Sequence, residues 1–182
     1  MSRVGIYGGT FDPIHLGHLH VITQLIEKNL VDQLLVVPAG LPLLRQNAPL
    51  ATGQQRRTMC QLALADLPAE IAAKVQVNPI EILRTGPSYA IDTVEAVAQN
   101  YPGDTIVFVI GQDAAEKLNQ WHRIEELREM VEFLIIARPG YTGGGVDIAA
   151  LNIAATTIRQ GLSAEVSSSV AAFIRENNLY DN

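Results

Sequence analysis

Apolar residues along this chain fall into short runs separated by stretches of helical periodicity. The runs Val4 to Tyr7, Gln33 to Val37, Lys74 to Val77, Thr105 to Ile110 and Glu132 to Ala137 are rich in Val and Ile and flanked by Gly, Pro, Asn or Asp, the pattern of strands. Their near-continuous apolarity predicts burial on both faces of a sheet. After the first run, Leu19, Ile22, Leu25, Ile26 and Leu30 recur at helical spacing. A second helix carries Leu62, Leu64 and Leu67, and Thr52 with Gln55 forms a capping box that opens it. Third and fourth helices are expected after Ser88 and Asp113. Strands alternating with helices imply an α/β fold: a parallel sheet flanked by helices, right-handed crossovers, and a ligand site beyond the carboxyl ends of the strands.

Two segments break this rhythm. Pro38 to Gly53 is a long irregular stretch of the kind that serves as a lid or binding loop, and it is the expected mobile element. After the loop Thr142 to Gly145 and the stretch Asp147 to Ile153, helical segments follow at Thr156 to Gln160 and Ser167 to Glu176. They predict a helical carboxyl-terminal part, about residues 152–182, capping the same domain. A chain of 182 residues makes one core, so 1–182 reads as a single domain.

Composition narrows the function classes. No apolar run approaches the roughly 18 residues of a membrane span, and Met1-Ser2-Arg3 leads straight into a strand without a signal-peptide core, which points to the cytoplasm and away from membranes. Cys60 is the single cysteine, which rules out an intrachain disulfide. A net charge of −6 argues against a nucleic-acid partner, whose binding needs clustered Lys and Arg. It does not argue against a small anion, because folding can focus a few arginines on one site.

Chemistry concentrates in Gly8-Gly9-Thr10-Phe11-Asp12-Pro13-Ile14-His15-Leu16-Gly17-His18, directly after the first strand and opening the first helix. Gly8 and Gly9 suit a backbone that must turn and approach a ligand closely, and a helix start offers N–H groups to an anion. His15 and His18, three apart, project from one side of the first helical turn. Three readings compete. Structural glycines with solvated histidines explain only part of the pattern. A metal site built on Asp12, His15 and His18 lacks a fourth ligand and the i,i+4 histidine spacing of helical zinc sites, so no metal site is expected. Phosphate chemistry accounts for the strand, glycines, helix start and both histidines together.

These residues resemble the nucleotidylyltransferase superfamily with its His-x-Gly-His signature, and within it the bacterial nicotinate-nucleotide adenylyltransferases. Pro87-Ser88-Tyr89-Ala90-Ile91-Asp92-Thr93 is similar to that family's Pro-Ser-Tyr-Thr-x-Asp-Thr segment, with Ala90 in place of threonine. Gly111-Gln112-Asp113, Trp121-His122-Arg123 and Ala137-Arg138-Pro139-Gly140 follow in the family's order, and Val166 to Tyr180 resembles its terminal helix. The likeness runs from Val4 to Tyr180.

The resemblance implies a Rossmann-like nucleotidylyltransferase fold and transfer of the adenylyl group of ATP to nicotinate mononucleotide in NAD synthesis, with Mg²⁺ carried on the ATP phosphates. His15 and His18 are implied to be catalytic, donating hydrogen bonds to phosphate. ATP is implied to lie against Gly8, Gly9, Thr10, Phe11, Gly111, Asp113, Arg138, Ile153, Thr156 and Arg159, with Asp113 on the adenosine side and Arg138 and Arg159 neutralising the triphosphate. Nicotinate mononucleotide is implied to meet Thr10, Arg45, Tyr89, Ala90, Trp121 and His122, with the tryptophan stacked on the pyridine ring. His20 and Cys60 match no motif and read as structural. Two departures stand out: Arg45, in Pro42-Leu43-Leu44-Arg45, replaces a phosphate-binding lysine, and Ala154-Ala155 replaces two serines ahead of Thr156. The rival readings are a nucleotidylyltransferase using nicotinamide mononucleotide or pantetheine phosphate, and a weakened nucleotide-binding relative. A homo-oligomer is compatible with all of them.

Overall fold

The computed structural model describes residues 1–41, 47–140 and 144–181. Five strands, β1 (Arg3–Gly9), β2 (Gln33–Pro38), β3 (Val75–Val77), β4 (Thr105–Gly111) and β5 (Glu132–Ile136), form one sheet in the order β3-β2-β1-β4-β5. Every pairing is parallel. In this order the chain winds outward from β1 in one direction, then returns to the other side of β1 through β4. The crevice between the carboxyl ends of β1 and β4 is therefore the switch point, where neighbouring loops diverge and leave room for a ligand.

The helices among the described residues are α1 (Leu16–Glu27), α2 (Gly53–Ala65), α3 (Ala69–Ala72), α4 (Ile80–Leu83), α5 (Ala90–Asn100), α6 (Gln112–Ala115), α7 (Ile124–Met130), α8 (Ala155–Arg159) and α9 (Ser168–Glu176). Strand side chains alternate between two apolar layers, as expected for a sheet covered on both faces. Leu34, Val36, Val107 and Val109 pack with α1, α2 and α9, whereas Val4, Ile6, Leu35, Val37, Ile106 and Phe108 pack with α5 and α7. The carboxyl-terminal residues Val166, Phe173, Ile174, Leu179 and Tyr180 lie against the first of these layers. No helix among the described residues is long and apolar enough to cross a membrane.

Local signals explain the element ends. The Thr52 hydroxyl accepts from Gln55 N–H at 3.2 Å and Thr52 N–H donates to Gln55 Oε1 at 2.9 Å, the reciprocal box that opens α2. α1 stops before Asn29, which takes φ of 52°, so Leu30 lies beyond the helix. β1 runs on through Gly8 and Gly9, which pair with Val37 and Pro38, so the glycines continue the strand and the expected turn does not fall on them. The left-handed residue is Phe11, at φ 50°. Gly9 is needed because a Cβ there would come within 2.7 Å of the Phe11 ring. The single helix expected after Asp113 is instead α6, a 3₁₀ turn at Leu118–Gln120, and α7, because Trp121 is extended and Arg123 sits at φ 51°. Two short helices, α3 and α4, have too few turns to show a periodicity in sequence.

Candidate active site

β1 delivers the first motif to the switch point. His15 is the N-cap residue of α1 and His18 lies one turn in, so both rings reach the same side of the helix start. The rings stack, with centroids 3.6 Å apart and planes inclined by 24°. His18 also meets the edges of Phe11 at 5.0 Å and Tyr7 at 6.3 Å, which fixes its plane. The His15 backbone N–H donates to His18 Nδ1 at 3.1 Å. An Nδ1 that accepts carries no proton, so the neutral His18 ring holds its proton on Nε2. The first free N–H of the helix is not left for a ligand, because Leu16 N–H donates to the Glu165 carbonyl at 2.9 Å.

Electrostatics keeps both rings neutral. Burial and the Arg138 guanidinium push His15 down to about 4, and burial, His15 and Arg138 hold His18 well below the ordinary imidazole range. Each ring is then a hydrogen-bond donor through a single N–H near neutral pH. The sign of the stability effect follows. Between pH 6.5 and about 4 the unfolded chain binds a proton at His15 that the folded chain refuses, so stability is complete above 6.5 and is lost as pH falls. For this nearly buried ring the loss is roughly 2–3 kcal/mol by pH about 4.5. His15→Asn, which cannot titrate, should therefore show a shallower fall in urea midpoint between about pH 7 and 4.5. Parallel curves for the two proteins would mean that His15 is not held neutral by the fold.

A cleft of about 900 Å³ opens at the switch point. Gly8, Gly9, Thr10, His15 and His18 form its β1 side, and Gly111, Asp113 and Arg138 form its β4–β5 side. Arg138 Nε lies 3.6 Å from Asp113 Oδ1, and both side chains are about half exposed, which leaves the guanidinium within reach of an incoming anion. Tyr89, Ala90, Trp121 and His122 line a third, aromatic part, and Ile153 closes the rim. Tyr89 and His122 rings lie 4.3 Å apart, and Trp121 stands edge-on to Phe108 at 5.8 Å. The Trp121 indole N–H is buried without a hydrogen-bond partner among the described residues, a donor with unspent capacity beside a cavity.

Most of the described residues singled out in sequence thus meet in one cleft, and three of them do not line it. Phe11 is 2% exposed beneath Gly9, where it shapes the strand end. Thr156 lies on α8, outside the cleft lining. Arg159 Nη1 donates to the Asp12 carbonyl at 2.6 Å and lies 3.9 Å from the Asp12 carboxylate, while Nη2 donates to the Thr156 hydroxyl at 3.1 Å. Arg45 lies outside the described residues. Among the described residues no group of three or more His, Cys, Asp and Glu side chains is arranged to hold a metal ion.

The Cytidylyltransferase-like family model matches residues 6–171. Nicotinate-nucleotide adenylyltransferase of Bacillus subtilis is 30% identical over 100% of both chains. The protein of Shouchella clausii described as a probable nicotinate-nucleotide adenylyltransferase is 35% identical over 99% of this chain and 97% of its own. The chain belongs to the nicotinate-nucleotide adenylyltransferase family. A solved member, Plasmodium falciparum nicotinic acid mononucleotide adenylyltransferase complexed with NaAD, superposes with a TM-score of 0.84, covering 100% of this chain and 98% of that one at 21% identity, a likeness of fold.

Two groups brace this cleft in a role that sequence did not assign, Asp12, weighed there only as a metal ligand, and Arg56. Asp12, 2% exposed, accepts from Leu50 N–H at 2.9 Å, Ala51 N–H at 3.0 Å and the Tyr180 hydroxyl at 2.8 Å, joining three remote segments. Its neighbourhood, led by burial, pushes the Tyr180 hydroxyl up, so it stays a donor at all physiological pH. Arg56, also 2% exposed, lies under the loop that follows β1. Only tertiary contacts separate these two from ordinary charged residues. His20, by contrast, is structural as expected, its Nε2 lying 2.7 Å from the Ile148 carbonyl.

The serine-to-alanine departure falls at the start of α8. Ala154 is the N-cap residue, at φ −121° and ψ 131°, and it offers no side-chain cap. Serine fits that backbone conformation and can accept an N–H of the first turn. Ala154→Ser should therefore stabilise the protein by about 1 kcal/mol, raising Tm by about 2–4 °C in a chain of this size. Unchanged thermal melting would mean that water already satisfies the helix start as well as a hydroxyl would.

Proposed function

We propose that this chain transfers the adenylyl group of ATP to nicotinate mononucleotide, giving nicotinate adenine dinucleotide and pyrophosphate, a step of NAD synthesis. The observation that carries the reading is the stacked His15–His18 pair, its second ring protonated on Nε2, on the wall of a cleft at the switch point. In this reaction an oxygen of the mononucleotide's 5′-phosphate attacks the α-phosphorus of ATP. The bond from that phosphorus to the bridging oxygen breaks, and the electron pair leaves with pyrophosphate. The attacking oxygen is already ionised and pyrophosphate is a good leaving group, so no general base is needed. Alignment and neutralisation of charge then set the rate.

The protein's groups divide accordingly. His15 and His18 donate to the phosphates, and the fold holds them neutral so that they enter the reaction as oriented dipoles. Arg138 turns from Asp113 toward the triphosphate, while Gly8, whose missing side chain faces open space, leaves the strand end beside Thr10 open to close phosphate approach. Mg²⁺ arrives as part of the substrate, MgATP, held by phosphate oxygens. Tyr89, Trp121 and His122 form the slot for the pyridine ring. The same reading treats residues 1–182 as one domain acting in the cytoplasm on small nucleotides.

The deciding experiment follows pyrophosphate release from MgATP with nicotinate mononucleotide, nicotinamide mononucleotide or pantetheine phosphate as acceptor. The expected result is turnover with nicotinate mononucleotide well above the other two. Preference for either alternative acceptor, or no turnover with any, overturns the proposal.

A further inference from the structure

The buried face of α2 carries Met59, Cys60, Ala63 and Leu64, and among them one charged residue, Arg56. A guanidinium out of water must be hydrogen-bonded, and the partners it takes reveal what it holds. Arg56 Nη1 donates to the Thr10 carbonyl at 2.7 Å, and Nη2 donates to the Ala39 carbonyl at 2.6 Å and the Gly40 carbonyl at 3.5 Å. Thr10 follows β1 and Ala39 follows β2, and both line the cleft. One planar side chain thus sets the distance between the loops that leave two adjacent strands.

The donors of the same turn are fixed from other directions. Ala39 N–H donates to the Gly9 carbonyl at 2.8 Å, and Gly40 and Leu41 N–H both donate to Ser88 Oγ at 3.1 Å. Gly40 has no room for a side chain, since a Cβ would run into the Glu81 carbonyl. The turn at residues 39–41 is therefore clamped between α2 and the segment before α5, next to Thr10.

We infer that Arg56 is a positioning residue that holds Thr10 and the turn after β2 at the spacing needed to receive the phosphate of the acceptor nucleotide. The inference rests on the proposed adenylyl transfer to nicotinate mononucleotide. Lysine keeps the charge but, as a single ammonium, cannot span carbonyls on two loops in the plane of a guanidinium. Loosening the spacing of a phosphate site weakens binding of that substrate and misaligns it for attack, without reaching the adenosine side of the cleft.

The test compares Arg56→Lys, Met59→Ala and Ser88→Ala with wild type by steady-state kinetics, thermal melting and calorimetric titration of nicotinate mononucleotide. Met59 is a fully buried neighbour on the same helix and makes none of the clamp's hydrogen bonds, so its truncation supplies a core lesion that leaves those bonds in place. Arg56→Lys should raise KM for nicotinate mononucleotide about tenfold and lower kcat several-fold, with KM for ATP within about twofold. Met59→Ala should lower Tm while leaving both KM values near wild type. Ser88→Ala loosens the turn from the exposed side and should raise KM for nicotinate mononucleotide about threefold even if the arginine variant does not fold. The proposal is overturned by wild-type constants in a folded Arg56→Lys, by equal changes in both KM values, by the same kinetic change in Met59→Ala, or by unchanged constants in Ser88→Ala. Wild type that neither binds nor turns over nicotinate mononucleotide overturns the functional reading and this inference together, whereas active wild type with an unaffected clamp variant overturns this inference alone.

Discussion

His18→Ala should lower kcat by about 10²–10³-fold while leaving the KM for each substrate within a few-fold, the loss seen when one preorganised donor to a developing charge is removed. The structure supplies the reason for the asymmetry between kcat and KM. The His18 ring is fixed by its bond from the His15 backbone, by stacking on His15 and by the edges of Phe11 and Tyr7. A donor fixed before substrate arrives needs no reorganisation as charge builds on the reacting phosphate, so its contribution is largest in the transition state. Burial and neighbouring positive charge keep the ring neutral, so little ground-state charge attraction is lost with it. Thermal melting of the variant should stay cooperative. A kcat within about threefold of wild type, in a folded variant, removes His18 from the chemistry.

Trp121→Ala should weaken nicotinate mononucleotide by about 10–100-fold and ATP by less than about threefold, since stacking on one base is worth roughly 1–3 kcal/mol. ATP serves as the internal control. Trp121 lines the cleft near Tyr89 and His122, but it also packs on Phe108, so a purely structural role is the competing account. That account predicts loss of Tm with equal effects on both ligands. Calorimetric titration of each nucleotide against wild type and variant separates the two, and equal weakening would assign Trp121 to the core. A tryptophan-to-phenylalanine variant should recover most of the affinity, because a flat ring remains while the unpartnered indole N–H is lost.

Both predictions concern residues whose importance was legible in the chain itself. The His-x-Gly-His spacing places His15 and His18 on one side of a helix start because successive turns of a helix bring residues three apart together. Trp121 carried weight through its motif setting, since its apolar surface alone is as consistent with packing. Sequence also misassigned a detail: the paired glycines suggested the turn, whereas the structure puts the left-handed residue at Phe11 and gives Gly9 the task of leaving room for that ring. A glycine can answer a conformational demand or a spatial one, and the letter is the same in both cases.

The sequence by itself determined the alternation of strands and helices, the burial of the sheet on both faces, the helix opened by Thr52 and Gln55, and the two histidines on one side of the first helix start. These are consequences of local periodicity, capping chemistry and residue type, all of which act over a few positions. Tertiary structure decided the strand order β3-β2-β1-β4-β5, hence which loops face each other across the crevice. It also decided that Arg159 is committed to Asp12, that Asp12 fastens Tyr180 from 168 residues away, and that Arg56 braces Thr10 against Ala39. A buried charge looks like a surface charge in sequence. Its role depends on partners brought together by long-range packing, and it must take those partners because the interior offers no water to replace them.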